Sequence, residues 1–79
     1  MRLDKFLKVS RIIKRRTVAN EACDAGRVLI NGRPAKASAQ VKEGDKLTIH
    51  FGSRDLEAEV LCVQETVKKE DADNMYRLL

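Results

Sequence analysis

The sequence predicts an α+β fold, with two N-terminal helices packed on a small, mostly antiparallel sheet. Apolar residues recur at helical spacing near the N-terminus and alternate with polar residues from about residue 28 onward. The chain has 79 residues and is 43% hydrophobic with no tryptophan, which allows a single domain with a thin, mainly aliphatic core. We therefore expect a short helical half followed by a short sheet half.

The first helix is predicted from Leu3, Phe6 and Leu7, whose i, i+3 and i+4 spacing places them on one helix face. That face should join the core, while the basic residues between them should lie on the opposite side. Ser10 interrupts the pattern, so a short helical turn can follow there, as a third helical element beside the two helices.

The second helix should begin at Thr17, whose hydroxyl can cap the first N–H groups and orient the start of the helix. Val18, Ala22 and Ala25 form its apolar stripe, which we expect to face the core. Gly26 can adopt the left-handed conformation that ends a helix.

The sheet half is predicted from turn residues and from alternation. Asn31-Gly32 tolerates positive φ and favours a tight hairpin, after which Pro34 is confined to an edge strand because it lacks an N–H. The clearest strand runs through residues 47–51 and assigns Phe51 to the core. A turn at residues 52–55 then returns the chain into another strand.

We divide the chain into a domain at residues 1–63 and a charged C-terminal tail at residues 64–79. The tail mixes acidic and basic residues and ends in a largely apolar stretch from Met75 to Leu79. It can be disordered, or its apolar end can form a final helical turn against the domain or a partner. Partial order is the favoured alternative.

Positive charge is concentrated in the first half of the chain. Residues 1–36 carry ten basic and three acidic side chains, whereas residues 37–79 carry six and nine, so the net charges are +7 and −3. The concentration suggests a surface that binds structured RNA by backbone and shape, and the alternative is an ordinary solvated face. The candidate RNA-binding residues are Arg2, Lys5, Lys8, Arg11, Lys14, Arg15, Arg16, Arg27, Arg33 and Lys36.

The remaining reactive side chains predict no catalytic or metal site. His50 has no evident nucleophile partner, and Glu57 and Glu59 fit a solvated sheet face. Cys23 and Cys62 lack further ligands at metal-binding spacing, so both are expected to be buried, reduced thiols. With no secretory signal and no long apolar run, we expect a cytoplasmic, non-enzymatic protein without membrane span, cofactor or small-molecule substrate.

A set of short motifs is spread over residues 1–50. The motifs are Arg2-Leu3-Asp4-Lys5-Phe6-Leu7, Ser10-Arg11, Arg15-Arg16-Thr17, Ala22, Gly26-Arg27-Val28, Asn31-Gly32, Lys36 and Gly44-Asp45. As a set they resemble the alpha-L RNA-binding domain first named for protein four of the small ribosomal subunit. The resemblance implies two helices against a small sheet, with Arg2, Arg11, Arg15 and Arg16 on the RNA-facing helical surface. It also implies that Asp4 orients the neighbouring basic groups.

The opening residues, together with Lys68-Lys69-Glu70 and Asn74-Met75-Tyr76, are similar to stand-alone members of bacterial ribosome-associated quality control, relatives of a small heat-shock RNA-binding protein. This resemblance implies binding to rRNA of large ribosomal subunits that carry stalled peptidyl-tRNA, and cooperation with RqcH in C-terminal alanine tailing. The leading hypothesis is an RNA-binding factor, monomeric when free. The alternatives are a general ribosome-assembly or translation factor of the same fold, and a protein-interaction adaptor using the acidic half and apolar tail.

Overall fold

In the computed structural model, which describes residues 1–64 and 68–79, two short helices pack against a five-stranded sheet. Helix α1 spans Leu3–Val9 and helix α2 spans Arg16–Asp24. The strands are β1 (Val28–Ile30), β2 (Arg33–Pro34), β3 (Lys46–Phe51), β4 (Arg54–Val60) and β5 (Tyr76–Leu78), with a 3₁₀ helix at Lys69–Met75. The strand order is β2-β1-β3-β4-β5, and every neighbouring pair is antiparallel. The predicted α+β class is confirmed.

The core lies between the helices and the sheet. Leu3, Phe6 and Leu7 of α1 are fully buried, as their spacing predicts. They belong to the same apolar cluster as Leu47 and Ile49 of β3. The alternation along β3 therefore turns its apolar residues toward the helices.

The start of α1 is held by the loop that precedes β3. The Leu3 N–H donates to the Ala39 carbonyl at 2.7 Å, and the Val41 N–H donates to the Met1 carbonyl at 2.9 Å. The Asp4 N–H donates to a further carbonyl of this loop at 3.2 Å. The bonds from Leu3 and Asp4 satisfy N–H groups that have no partner inside the helix, and all three bonds fix the position of the N-terminal basic residues.

The start of α2 differs from the prediction. Thr17 is not the N-cap: Arg15 occupies that position in an extended conformation, and no side chain caps the helix. Thr17 lies instead within the first turn. The end of the helix is as predicted, because Gly26 follows it with a φ of 80°.

The predicted apolar stripe of α2 is also wrong. Val18 is 46% exposed, Ala25 is exposed, and Ala22 is only half-buried. The buried residues are Ala19 and Cys23, one turn apart on another face. Their small side chains allow α1 to approach closely, whereas the larger Val18 remains at the rim of the core.

The hairpin prediction is confirmed, and one core assignment is not. Asn31 and Gly32 have φ values of 53° and 83°, the conformation of a two-residue hairpin turn of the type I′ class. Pro34 lies in β2, which is an edge strand as expected. Phe51, in contrast, is 37% exposed, because it ends β3 beside the turn into β4 and beyond the cover of the helices.

The described part of the C-terminal segment packs on the sheet. Met75 ends the 3₁₀ helix and is fully buried, and its carbonyl accepts the Leu61 N–H at 2.8 Å. The apolar end forms β5 on β4, with Tyr76 opposite Val60, rather than a helical turn. Residues 65–67 of the predicted tail lie outside the described residues, and the domain boundary at residue 63 stays a prediction.

Both cysteines are free thiols. Burial raises the pKa of Cys23 to about 11, so this thiol stays protonated at neutral pH. Cys62 is only partly buried, which corrects the expectation that both thiols are enclosed. Across residues 1–64 and 68–79, no helix is both long and apolar enough to cross a bilayer.

Candidate nucleic-acid interface

A buried carboxylate, Asp4, joins two arginines from different helical segments. Asp4 lies in the first turn of α1 and is 2% exposed. Its Oδ1 accepts from Nε of Arg2 at 3.1 Å, and its Oδ2 accepts from Nε of Arg16 at 3.3 Å. Each guanidinium also reaches the other oxygen through Nη2 at 3.5 Å. Both arginines therefore engage the same carboxylate in a bidentate manner.

Two further donors complete the surroundings of this carboxylate. The side-chain amide of Asn20 donates to Oδ2 at 3.2 Å, and the Lys5 backbone N–H donates to Oδ1 at 2.9 Å. We call Arg2, Asp4, Arg16 and Asn20 the Asp4 cluster. Asn20 was missed in the sequence analysis, although its position one turn after Arg16 on α2 was a usable indication.

The hydrogen bonds control the charge of the Asp4 cluster. Burial raises the pKa of Asp4, but hydrogen bonds from Arg2, Asn20 and Arg16 outweigh it and lower the pKa from an ordinary 3.8 to about 2. The carboxylate is therefore ionised at neutral pH. One negative charge between two guanidinium groups leaves this cluster with a net charge of +1.

The guanidinium groups of Arg2 and Arg16 remain accessible to solvent although Asp4 holds both of them. The side chains of Arg2 and Arg16 are 46% and 47% exposed, whereas that of Asp4 is 3% exposed. Nε and Nη2 of each arginine face Asp4, so Nη1 of each lies outside this set of hydrogen bonds. Thr17 and Glu21 line the same open groove, and Glu21 places one carboxylate at its rim.

A second group of basic residues lies where α1 ends. Lys8, Arg11 and Lys14 line a shallow pocket together with Val9, and we call the three basic residues the Arg11 cluster. Arg11 has a φ of 64°, a left-handed conformation that glycine usually supplies at a helix end. An arginine there costs about 1 kcal/mol or more in backbone strain. Strain of this kind is typical of functional positions.

Arg15, at the N-terminal end of α2, lies in the sequence between Lys14 of the Arg11 cluster and Arg16 of the Asp4 cluster. Arg15 is the exposed N-cap, and no side chain accepts from the first N–H groups of the helix. Such N–H groups attract phosphate, because the helix end carries a partial positive charge. Arg15 therefore adds to the positive surface but does not belong to the Asp4 cluster.

Three of the predicted RNA-binding residues lie apart from both clusters. Lys36 donates through Nζ to the Asp24 carbonyl at 3.3 Å, at the end of α2 opposite to Arg16. Arg33 lies on the edge strand β2, and Arg27 lines a different groove on the other side of α2. The structure therefore brings Arg2 and Arg16 together and does not gather all ten basic residues.

Replacing Asp4 with asparagine is expected to lower the free energy of unfolding by about 2 kcal/mol at pH 7. The pKa of Asp4 is depressed in the folded chain, so its contribution is complete above the ordinary pKa of 3.8 and is lost as the pH falls through about 2. Urea unfolding of both proteins across this pH range measures the difference. A stability difference that stays constant down to the lowest pH would contradict the assignment.

Comparisons with known proteins place the chain among RNA-binding proteins. Residues 1–47 match the S4 domain family. The whole chain is 58% identical to the "RQC P-site tRNA stabilizing factor" of Bacillus subtilis (strain 168), covering 92% of it, and 53% identical to that of Streptococcus pneumoniae, covering 90%. Among solved structures, trimeric heat shock protein 15 from Vibrio cholerae has a TM-score of 0.91 at 29% identity, over the whole of this chain and 81% of that one. The chain therefore belongs to the S4 domain family, among the RQC P-site tRNA stabilizing factors.

Proposed function

We propose that this chain is a non-enzymatic factor that binds RNA and holds tRNA in the P site of obstructed large ribosomal subunits. The observation that carries the proposal is the Asp4 cluster, which presents two half-exposed arginines at fixed positions on one surface. The descriptions of relatives that align with the whole chain support the P-site and tRNA parts. In this proposal the protein acts in the cytoplasm on large-subunit rRNA and peptidyl-tRNA, and supports alanine tailing by RqcH.

Pre-orientation by Asp4 explains how two arginines can provide useful affinity. A free arginine side chain loses roughly 2 kcal/mol of rotamer entropy when it is immobilised by a ligand. Arg2 and Arg16 already have restricted guanidinium positions, because both engage Asp4 in a bidentate manner. Their remaining donors can therefore meet phosphate oxygens at a smaller entropic cost.

The arrangement of positive groups suits folded RNA. The major groove of A-form RNA is too narrow for side chains, so double-stranded RNA is recognised by its shape, phosphates and 2′-hydroxyl groups. The Asp4 cluster, the exposed N-terminus of α2 and the Arg11 cluster offer successive phosphate contacts. Contacts to both tRNA and rRNA backbones would hold one against the other without any chemical step.

The particle that the protein recovers from a lysate tests this proposal. A tagged chain is expected to enrich large subunits that carry peptidyl-tRNA over intact ribosomes and small subunits. An Arg2→Ala/Arg16→Ala double variant serves as the control for contacts through the tag. Recovery of mainly intact ribosomes would favour the general translation factor instead.

Binding to isolated tRNA or rRNA is expected to depend steeply on salt. If about five phosphates are neutralised, the slope of log affinity against log salt is roughly −3 to −5. Affinity should then fall about 60- to 1,000-fold between roughly 50 and 200 mM salt. Fluorescence anisotropy of labelled tRNA measures the slope. A slope near zero would mean that the basic surface only serves solubility.

A further inference from the structure

A second groove lies on the other side of α2 from the Asp4 cluster. Its lining includes the apolar side chains of Ile13, Val18 and Ala22, and it also includes Arg27, His50 and Phe51. We call it the Phe51 groove. The exposure of Phe51 and Val18, 37% and 46%, leaves an aromatic ring and an aliphatic side chain accessible together.

Polar side chains that line the Phe51 groove include His50, which a neighbouring carboxylate holds in place, and Arg27. Nδ1 of His50 lies 2.6 Å from Oδ1 of Asp55. An ionised carboxylate only accepts hydrogen bonds, so Nδ1 carries the proton and Nε2 is left for another partner. Among residues 1–64 and 68–79, Arg27 pairs with no carboxylate, so its charge is not neutralised there.

The Phe51 groove and the Asp4 cluster share helix α2. Arg16 and Asn20 face the Asp4 cluster, whereas Val18 and Ala22 face the groove. A helix with its side chains is about 10 to 12 Å across. A nucleic acid held at the Asp4 cluster can therefore pass over the exposed N-terminal end of α2 and reach the groove within a few nucleotides.

We propose that the Phe51 groove accepts an unstacked nucleobase of the RNA whose backbone is held at the Asp4 cluster. This inference rests on the proposed function and extends it from backbone contacts to a base contact. An exposed ring offers a face on which a base stacks, and Arg27 at the rim favours the anionic phosphate next to that base. An apolar peptide would use the aliphatic wall but has no need for an unpaired guanidinium.

The absence of tryptophan from the sequence allows a direct test. Phe51→Trp introduces a single indole, whose fluorescence a stacked base quenches. Deacylated tRNA and large-subunit rRNA are the two RNA probes, and inorganic polyphosphate supplies phosphates without bases. We expect quenching with at least one RNA and none with polyphosphate. Free N-acetyltryptophanamide in parallel samples corrects for light absorbed by the RNA.

A second variant measures how much the aromatic ring of Phe51 contributes to the affinity for RNA. Phe51→Leu keeps an apolar side chain of similar volume but removes the aromatic face, so the affinity for the quenching RNA should fall about 5- to 100-fold. Thermal melts of both variants check that the fold is retained.

The outcomes separate the two proposals. RNA that saturates Phe51→Trp by anisotropy without quenching, together with unchanged affinity of Phe51→Leu, overturns the base contact and leaves the proposed function intact. Failure of the unmodified chain to bind any RNA would overturn both.

Discussion

Replacing Arg16 with alanine is expected to weaken binding to large ribosomal subunits by about 10- to 100-fold. Arg16 reaches the surface from α2 while Arg2 reaches it from the start of α1, and Asp4 holds both. Loss of Arg16 removes one phosphate donor and leaves the buried Asp4 carboxylate with one guanidinium partner fewer. Co-sedimentation of the purified chain with large subunits at several salt concentrations measures the effect.

Arg77 provides a matched control for the loss of one positive charge. It lies on β5, pairs with Glu59 and is 64% exposed, so Arg77→Ala should leave subunit binding nearly unchanged. The double variant Arg11→Glu/Arg16→Glu reverses charge in both clusters and should abolish co-sedimentation. Intact co-sedimentation of that folded double variant would refute the proposed interface.

Replacing Met75 with alanine is expected to lower the free energy of unfolding by about 2 to 4 kcal/mol. Met75 is fully buried, and its carbonyl accepts N–H groups from Leu61 at 2.8 Å and Cys62 at 3.3 Å. A chain of this length has only about 4 to 12 kcal/mol of stability, so the melting temperature should fall by roughly 10 to 25 °C. Differential scanning calorimetry measures both quantities.

Leu79 is the control for this prediction and also tests the adaptor alternative. Leu79 is 59% exposed, so Leu79→Ala should change stability by less than about 0.5 kcal/mol. An adaptor that used the apolar end would lose its protein partner in Leu78→Ser/Leu79→Ser while keeping its RNA affinity. Deleting residues 75–79 would not separate the loss of a protein partner from a loss of stability, because it also removes the buried side chain of Met75. Equal destabilisation by Met75→Ala and Leu79→Ala would contradict the packing described here.

The sequence predicted where the helices and strands lie better than it predicted which of their faces are buried. The helical spacing of Leu3, Phe6 and Leu7 and the positive φ at Asn31-Gly32 depend on neighbours close in the chain, and both were read correctly. The buried face of α2 depends on how closely α1 can approach it. Ala and Cys at positions 19 and 23 allow that approach, although Val18 is the more apolar residue.

The basic surface was predicted in composition, and the family resemblance implied an orienting role for Asp4, but neither specified which basic groups Asp4 holds. The density of charge in residues 1–36 is visible in the sequence, and ten basic residues were named as candidates for one RNA-binding surface. In the folded chain, Arg2 and Arg16 meet at Asp4, whereas Lys36 contacts the far end of α2. Coulomb attraction is non-directional, so net charge does not specify which arginines a buried carboxylate holds.

By itself the sequence determined the order of the two helices and of strands β1 to β4, the hairpin at residues 31–32 and the positive N-terminal half, because periodicity, turn conformation and charge are local properties. Only the tertiary structure decided that Asp4 joins Arg2 to Arg16, that Met75 completes the core, and that Phe51 stays accessible beside α2. Each of these depends on segments distant in sequence meeting in space, and that meeting is settled by how side-chain volumes pack around one small core.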